Sequence, residues 1–326
     1  MFQPSYIRLY ETGELLERVE KLEAMLESCD ICPHDCKVNR LKNEVAWCFS
    51  GYLPIVSSYC PHFGEEPVLS GTKGVGNIFF GNCNMRCVYC QNYQISQNGK
   101  EERKNEVSFE RLAEMMLELQ EKGCHNIGFV SPTHFVPQLV KALAIAVEKG
   151  LYLPLVYNTN AYDSVEVLKL LDGIIDIYLP DIKYSENETA WQYSKIKYYP
   201  KHARSAIKEM HRQVGSELVM ENGLLKRGLI IRHLVLPNDV AGSMDSLQWI
   251  GDELGRDIAI SVMAQYYPTN KANDIILLSR RIRESEYEHV LSILEKLELE
   301  NGWVQEFESQ DYYKPDFSDR VEPFKR

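Results

Sequence analysis

The stretch Gly81-Asn-Cys-Asn-Met-Arg-Cys-Val-Tyr-Cys-Gln-Asn92 sets Cys83, Cys87 and Cys90 in a C-x3-C-x2-C spacing, with Tyr89 directly before the last cysteine. Three thiolates on one short loop can hold three corners of a cubane iron–sulfur cluster. Such cubanes are ordinarily held by four cysteines, so a three-cysteine loop leaves one iron open to another ligand. A zinc site with four tetrahedral Cys or His ligands is the alternative. Zinc loops usually pair two short knuckles, and no second pair follows Cys90. Residues 76–80, Gly-Asn-Ile-Phe-Phe, are apolar and aromatic and bounded by glycines, which predicts a buried strand running into the loop.

Downstream of that strand, short apolar runs alternate with helical patterns. The strand-like runs are 77–80, 126–130, 153–157, 174–179, 229–236 and 258–263. Helical periodicity is clearest over 109–121 and 136–149, and a further helix is expected over about 286–299. Short continuous apolar strands separated by helices indicate a parallel sheet. Six such units predict an α/β fold, a partial (β/α)6 barrel open at one side, with its chemistry at the strand C-termini. Three segments are expected: 1–75, a helix plus a Cys-rich metal-binding segment and an irregular wrap; 76–285, the barrel; and 286–326, a C-terminal helix and an extended tail from 309. No internal repeat beyond the βα alternation is visible.

Upstream, residues 11–27 read as an amphipathic helix with Leu15, Leu16, Val19, Leu22 and Leu26 on one face. It leads into a second cysteine group, Cys29-x2-Cys32-x3-Cys36 followed by Cys48. Four thiolates within twenty residues make a complete ligand set, so this site is closed where the Cys83 site is open. Zinc and an auxiliary 4Fe-4S cluster both suit it. Lys37, Arg40 and Lys42 would offset thiolate charge, and His34 reads as a bystander. Residues 49–75, rich in Gly, Pro and aromatics, look irregular. The glycines at 71, 74 and 76 form no P-loop, since no Gly-Lys-Ser/Thr follows.

The chain of 326 residues carries a formal charge of −11, which argues against a broad nucleic-acid surface. The basic run from Lys195 to Arg212 reads as a solvated helix face. No basic n-region or apolar h-region opens the sequence, and no apolar run reaches the roughly 18 residues that span a bilayer. A cytoplasmic protein without a membrane partner is expected. Nine cysteines in such a chain indicate metal or redox chemistry before disulfides. Cys60 and Cys124 fall outside both groups and read as buried thiols.

With these residues the chain resembles the radical S-adenosylmethionine (SAM) superfamily. More closely it resembles the branch related to pyruvate formate-lyase activating enzyme, including PflX-like iron–sulfur proteins with a Cys-rich N-terminal segment. The resemblance covers most of the chain. It rests on the cysteine loop and on Cys-Asp-Ile-Cys-Pro-His-Asp-Cys (29–36), His-Phe-Gly-Glu-Glu-Pro (62–67), Cys-Gln-Asn-Tyr-Gln-Ile-Ser-Gln (90–97), Ser-Pro-Thr-His-Phe (131–135), Tyr-Leu-Pro-Asp-Ile-Lys (178–183) and Ile-Arg-His-Leu-Val-Leu-Pro (231–237). It implies a 4Fe-4S cluster on Cys83, Cys87 and Cys90 whose open iron chelates the amino and carboxylate groups of SAM. It also implies reductive cleavage of SAM to a 5′-deoxyadenosyl radical that abstracts hydrogen, with a flavodoxin or ferredoxin as electron donor.

Asp181 and Lys183 match a D-x-K motif that faces SAM; a carboxylate suits ribose hydroxyls and a lysine suits the SAM carboxylate. A plain strand-end salt bridge is the competing reading. Asn158 is a candidate ribose contact, and Arg232 matches an arginine of the activating-enzyme pattern. Tyr89 would pack on the adenine. The Gly-Gly-Glu that often holds the SAM amino group is replaced here by Ser131-Pro-Thr-His134, so Thr133 or His134 with backbone carbonyls, or Glu65 or Glu66, would take its place. The substrate is open among a glycyl-radical partner enzyme, a small molecule and a peptide. A non-catalytic iron–sulfur electron carrier or zinc module is the reading from another class.

Overall fold

The computed structural model describes residues 2–308 and 314–324. Residues 309–313 of the expected extended tail lie outside the described residues. Nine strands form one mostly parallel sheet: β1 (Val56–His62), β2 (Val75–Phe80), β3 (Ile127–Val130), β4 (Leu155–Thr159), β5 (Ile177–Pro180), β6 (Val219–Glu221), β7 (Leu224–Leu234), β8 (Ala259–Met263) and β9 (Gly302–Val304). The spatial order is β1-β2-β3-β4-β5-β7-β8-β9, parallel from β2 to β9, with β1 antiparallel on β2 and β6 antiparallel on β7. The sheet does not close, so this is the expected α/β partial barrel. The six predicted runs are β2, β3, β4, β5, β7 and β8. All residues of β2, β3, β5 and β8 are buried, as strands covered on both faces require.

The region 49–75 is less irregular than its composition suggests. It supplies β1, an edge strand, and a short helix at Pro67–Ser70. Val-Ser-Ser-Tyr-Cys-Pro-His shows no clean alternation, and Pro61 is tolerated because β1 pairs on one side only. β9, within the expected C-terminal segment, extends the other end of the sheet.

Helix Phe109–Glu121 starts at Ser108, whose Oγ accepts from the Arg111 N–H at 3.1 Å, and buries Leu112, Ala113, Met115, Met116 and Leu119. Helix Val136–Glu148 begins with Pro137 and is buried on nearly all sides. Helix Phe109–Glu121 packs along one side of it and helix Glu14–Ala24 along another. The predicted 11–27 helix is two helices, Ser5–Glu11 and Glu14–Ala24, broken at Gly13 with φ 82°. Leu15, Leu22 and Leu26 are buried as expected, but Leu16 is exposed because it lies about 100° round the same helix from Leu15, off the buried face. The N-terminus is tied down by Asp176 before β5: its Oδ1 accepts from the Ser5 N–H at 3.0 Å and Ser5 Oγ at 2.9 Å, and its Oδ2 from the Leu155 N–H at 3.2 Å.

The basic run lies mainly on helix Tyr199–Val214, where Lys208 pairs with Glu253 and Arg212 with Asp172 and Glu209. Cys60 and Cys124 are buried free thiols. No helix among the described residues is long and apolar enough to cross a membrane.

Candidate active site

β2 ends in the cysteine loop at the mouth of the barrel. Gly81 opens it because nothing larger fits: a Cβ there would lie 2.4 Å from Ile55 and 2.7 Å from Glu102. Asn82 follows with φ 59°, turning the chain into the loop. Cys83, Cys87 and Cys90 line a cavity of about 200 Å³. Each sulfur has a hydrogen-bonding neighbour. Cys83 Sγ accepts from the Met85 N–H at 3.3 Å and Asn160 Nδ2 at 3.4 Å. Cys87 Sγ accepts from Ser194 Oγ at 3.0 Å, and Cys90 Sγ lies 3.2 Å from Ser96 Oγ. Burial pushes the thiols of Cys83 and Cys90 up to about 12 and about 11. Among the described residues no three Cys, His, Asp or Glu side chains close on a single-ion position. Three soft sulfurs, spread around a void and supplied with donors, fit the corners of a cubane.

The same cavity is lined by Tyr89, Asn158, Asp181, Lys183 and Arg232. Tyr89 sits edge-on to Tyr184 and Tyr266, with ring centroids 6.3 and 5.9 Å away. Lys183 Nζ lies 2.6 Å from Asp181 Oδ2, Arg232 Nε lies 3.3 Å from Asp181 Oδ1, and Arg232 Nη1 donates to Glu65 Oε2 at 2.8 Å. Asn77 Nδ2 donates to the other Glu65 oxygen at 2.9 Å. Gly128, one strand over, leaves room for this asparagine: a Cβ on it would meet Asn77 Oδ1 at 2.1 Å.

These buried charges fall into a chain. Burial raises the Glu65 carboxyl, but Arg232, His62 and Asn77 outweigh that and hold it below the usual range. Burial pushes Glu66 up, and Glu65 beside it adds to this against Arg232. Burial lowers the lysine, but Asp181 together with Cys87 and Cys90 outweighs that and raises it above its ordinary range, so Lys183 stays charged. Asp181 Oδ1 and Arg232 Nε face each other as a buried ion pair but are not aligned for a hydrogen bond. A polar ligand in the cavity would supply that hydrogen bond.

Thr133 and His134 do not line this cavity. Thr133 Oγ1 lies 3.2 Å from Thr159 Oγ1, and His134 Nε2 bonds the Gly81 carbonyl at 3.0 Å. Burial drops the His134 imidazole to about 3. Ser131, with φ 55°, lines the cavity in their place, and of the two upstream carboxylates Glu65 does so. Sequence reading missed Asn160 and Ser194. Asn160 was within reach, since Asn158-x-Asn160 at a strand end puts both on one face; Ser194 ends a helix with no pattern to mark it. The residues after 313 were missed too. Pro315 and Phe324 line the cavity, and the Phe324 ring lies 4.1 Å from His62.

The N-terminal cysteines gather elsewhere. Cys29, Cys32, Cys36 and Cys48 line a separate small cavity with Arg40, Trp47 and His134. His34, expected as a bystander, bonds the cluster loop: its Nε2 lies 2.7 Å from the Asn84 carbonyl, which also accepts from Trp47 Nε1 at 3.0 Å.

The family model of the radical SAM superfamily matches residues 77–224, from within β2 to the start of β7. The chain is 32% identical over 311 residues to the uncharacterized protein MJ0674 of Methanocaldococcus jannaschii, covering 89% of this chain and 81% of that protein. The chain belongs to the radical SAM superfamily. Membership makes it an enzyme whose general reaction is SAM cleavage at a 4Fe-4S cluster. This radical SAM protein is also 24% identical over 277 residues to the uncharacterized protein MJ0808 of the same organism, covering 78% of this chain and 75% of that one. Among solved structures it is similar to a radical SAM methyltransferase from Sphaerobacter thermophilus, at 12% identity and a TM-score of 0.47, over 71% of this chain and 66% of that one.

Proposed function

We propose that this radical SAM enzyme belongs to the branch of pyruvate formate-lyase activating enzyme and acts on a protein, placing a glycyl radical on a partner enzyme. Bound at Cys83, Cys87 and Cys90, the cluster would supply the electron that splits SAM into methionine and a 5′-deoxyadenosyl radical for hydrogen abstraction. The observation carrying the site reading is a single cavity lined by the three loop cysteines together with Asp181, Lys183 and Arg232. Asp181 accepts ribose hydroxyls, Lys183 meets the SAM carboxylate, Asn158 contacts the ribose and Tyr89 lies against the adenine. Glu65, held ionised beside Arg232, and the Ser131 backbone take the amino-group side. The walls exclude water from the reacting centre.

The unclosed sheet supports a protein substrate. So do the exposed aromatics Phe63 and Tyr93, each next in the chain to a cavity-lining residue. A flavodoxin or ferredoxin supplies the electron. The test is anaerobic reconstitution, reduction and assay of 5′-deoxyadenosine. The wild type should form it, and Cys83→Ala, Cys87→Ala and Cys90→Ala should each abolish it. Adding the glycyl-radical partner should give a protein-centred glycyl doublet in electron paramagnetic resonance; SAM cleavage without that doublet in any candidate partner would defeat the activase reading.

A further inference from the structure

Four thiols, Cys29, Cys32, Cys36 and Cys48, line one cavity in the N-terminal segment. Two side chains on that cavity each keep one buried polar atom without a partner. Arg40 is 1% exposed; its Nε donates to the Gly51 carbonyl at 3.0 Å and its Nη1 to the His134 carbonyl at 2.6 Å, while Nη2 has no partner. No carboxylate among the described residues pairs with it. His134 is also 1% exposed; its Nε2 donates to the Gly81 carbonyl at 3.0 Å, which leaves Nδ1 as an unpartnered acceptor. A buried guanidinium without a counter-anion is costly, and the orphaned Arg40 Nη2 donor calls for an acceptor in the cavity.

The backbone adds to this. Asp35 and Lys37 flank Cys36 with φ 47° and 55°, and Phe49 follows Cys48 with φ 52°. For Lys and Phe such angles persist only when the surroundings enforce them. The loop folds back through Cys29 N–H to the Val38 carbonyl and Lys37 N–H to the Cys29 carbonyl, both at 2.9 Å, so the cysteines are brought round one centre.

We propose that Cys29, Cys32, Cys36 and Cys48 ligate a second 4Fe-4S cluster, closed by protein thiolates, with Arg40 as its buried counter-cation. The thiols line a void rather than closing on a single-ion position. A cubane fills such a void with its own iron and sulfide, whereas a zinc tetrathiolate has its sulfurs drawn in around one ion. Four thiolates give such a cluster a net negative charge, which the guanidinium offsets. The centre is also joined to the first loop, because His34 and Trp47 hold the Asn84 carbonyl and His134 holds that of Gly81.

Metal and sulfide analysis of the reconstituted full chain tests this. The wild type should hold about eight irons and the Cys83→Ala/Cys87→Ala/Cys90→Ala variant about four, with matching sulfide and a reducible cubane signal. One zinc and no iron in that variant overturns the cluster, and so does the absence of any metal. Should the variant fail to fold, the wild type decides: about four irons with zinc, or about four irons alone, overturns the proposal. Loss of SAM cleavage in the variant with four irons retained separates the two sites.

Discussion

At the residue scale, Asp181 is the hinge of the cavity's electrostatics. It carries Lys183 on one oxygen and faces Arg232 with the other. The residues form a strand-end ion pair, and that pair leaves both side chains lining the cavity. Asp181→Ala should weaken SAM binding by about 1–3 kcal/mol through lost polar contacts. Lys183→Ala should act similarly through lost charge, and neither should change the iron content. Equilibrium dialysis of the anaerobic holoprotein checks this; unchanged affinity in both variants reduces the pair to a structural bridge. What sequence could show here was residue type and strand-end position. It could not show that Glu65, 167 positions from Arg232, reaches that arginine across the barrel. Nor could it show that the chain turns away at Pro132 and carries Thr133 and His134 behind the cavity wall.

At the element scale, the docking of helix Ser5–Glu11 rests on Asp176. Burial raises this carboxyl from 3.8 to about 6, with the Ser5 and Leu155 hydrogen bonds opposing. The folded chain thus binds this proton more tightly than the unfolded chain. Its contribution to stability is full below pH 3.8 and is lost as pH rises through about 6. Asp176→Asn should set an amide NH2 against one of its three donors, costing about 1–3 kcal/mol. Amide exchange should speed up over Ser5–Glu11 while β2 to β8 stay protected. The six parallel strands were legible because a strand buried on both faces needs an unbroken apolar run. β1, β6 and β9 were not. They are edge or paired-off strands of three to seven residues, where one-sided pairing relaxes the demand on composition.

At the scale of the whole molecule, the last described residues are fixed across the cavity. Arg320 pairs with buried Glu102 through Nη1 at 2.5 Å and Nη2 at 3.0 Å, and the Phe317 N–H donates to Gln94 Oε1 at 2.9 Å. Arg320→Ala should loosen this segment and let oxygen reach the site, so cluster absorbance should bleach severalfold faster in air than in the wild type. An unchanged bleaching rate would show that the segment does not shield the cluster. The sequence carried no sign of this contact: a polar, aromatic stretch without periodicity says nothing of where it lands.

The ties of the N-terminal helix have a further consequence, for how the chain is made. Phe2 bonds Glu221, Ser5 bonds Asp176, Tyr6 bonds the Leu153 carbonyl, and Arg18 bonds the Lys169 carbonyl. Each partner leaves the ribosome more than a hundred residues after the group it receives. The first two helices must therefore wait, undocked, until β4 and β5 have emerged. Contacts so distant in sequence make folding slow. During that interval the first-made part of the protein has no surface on which to dock.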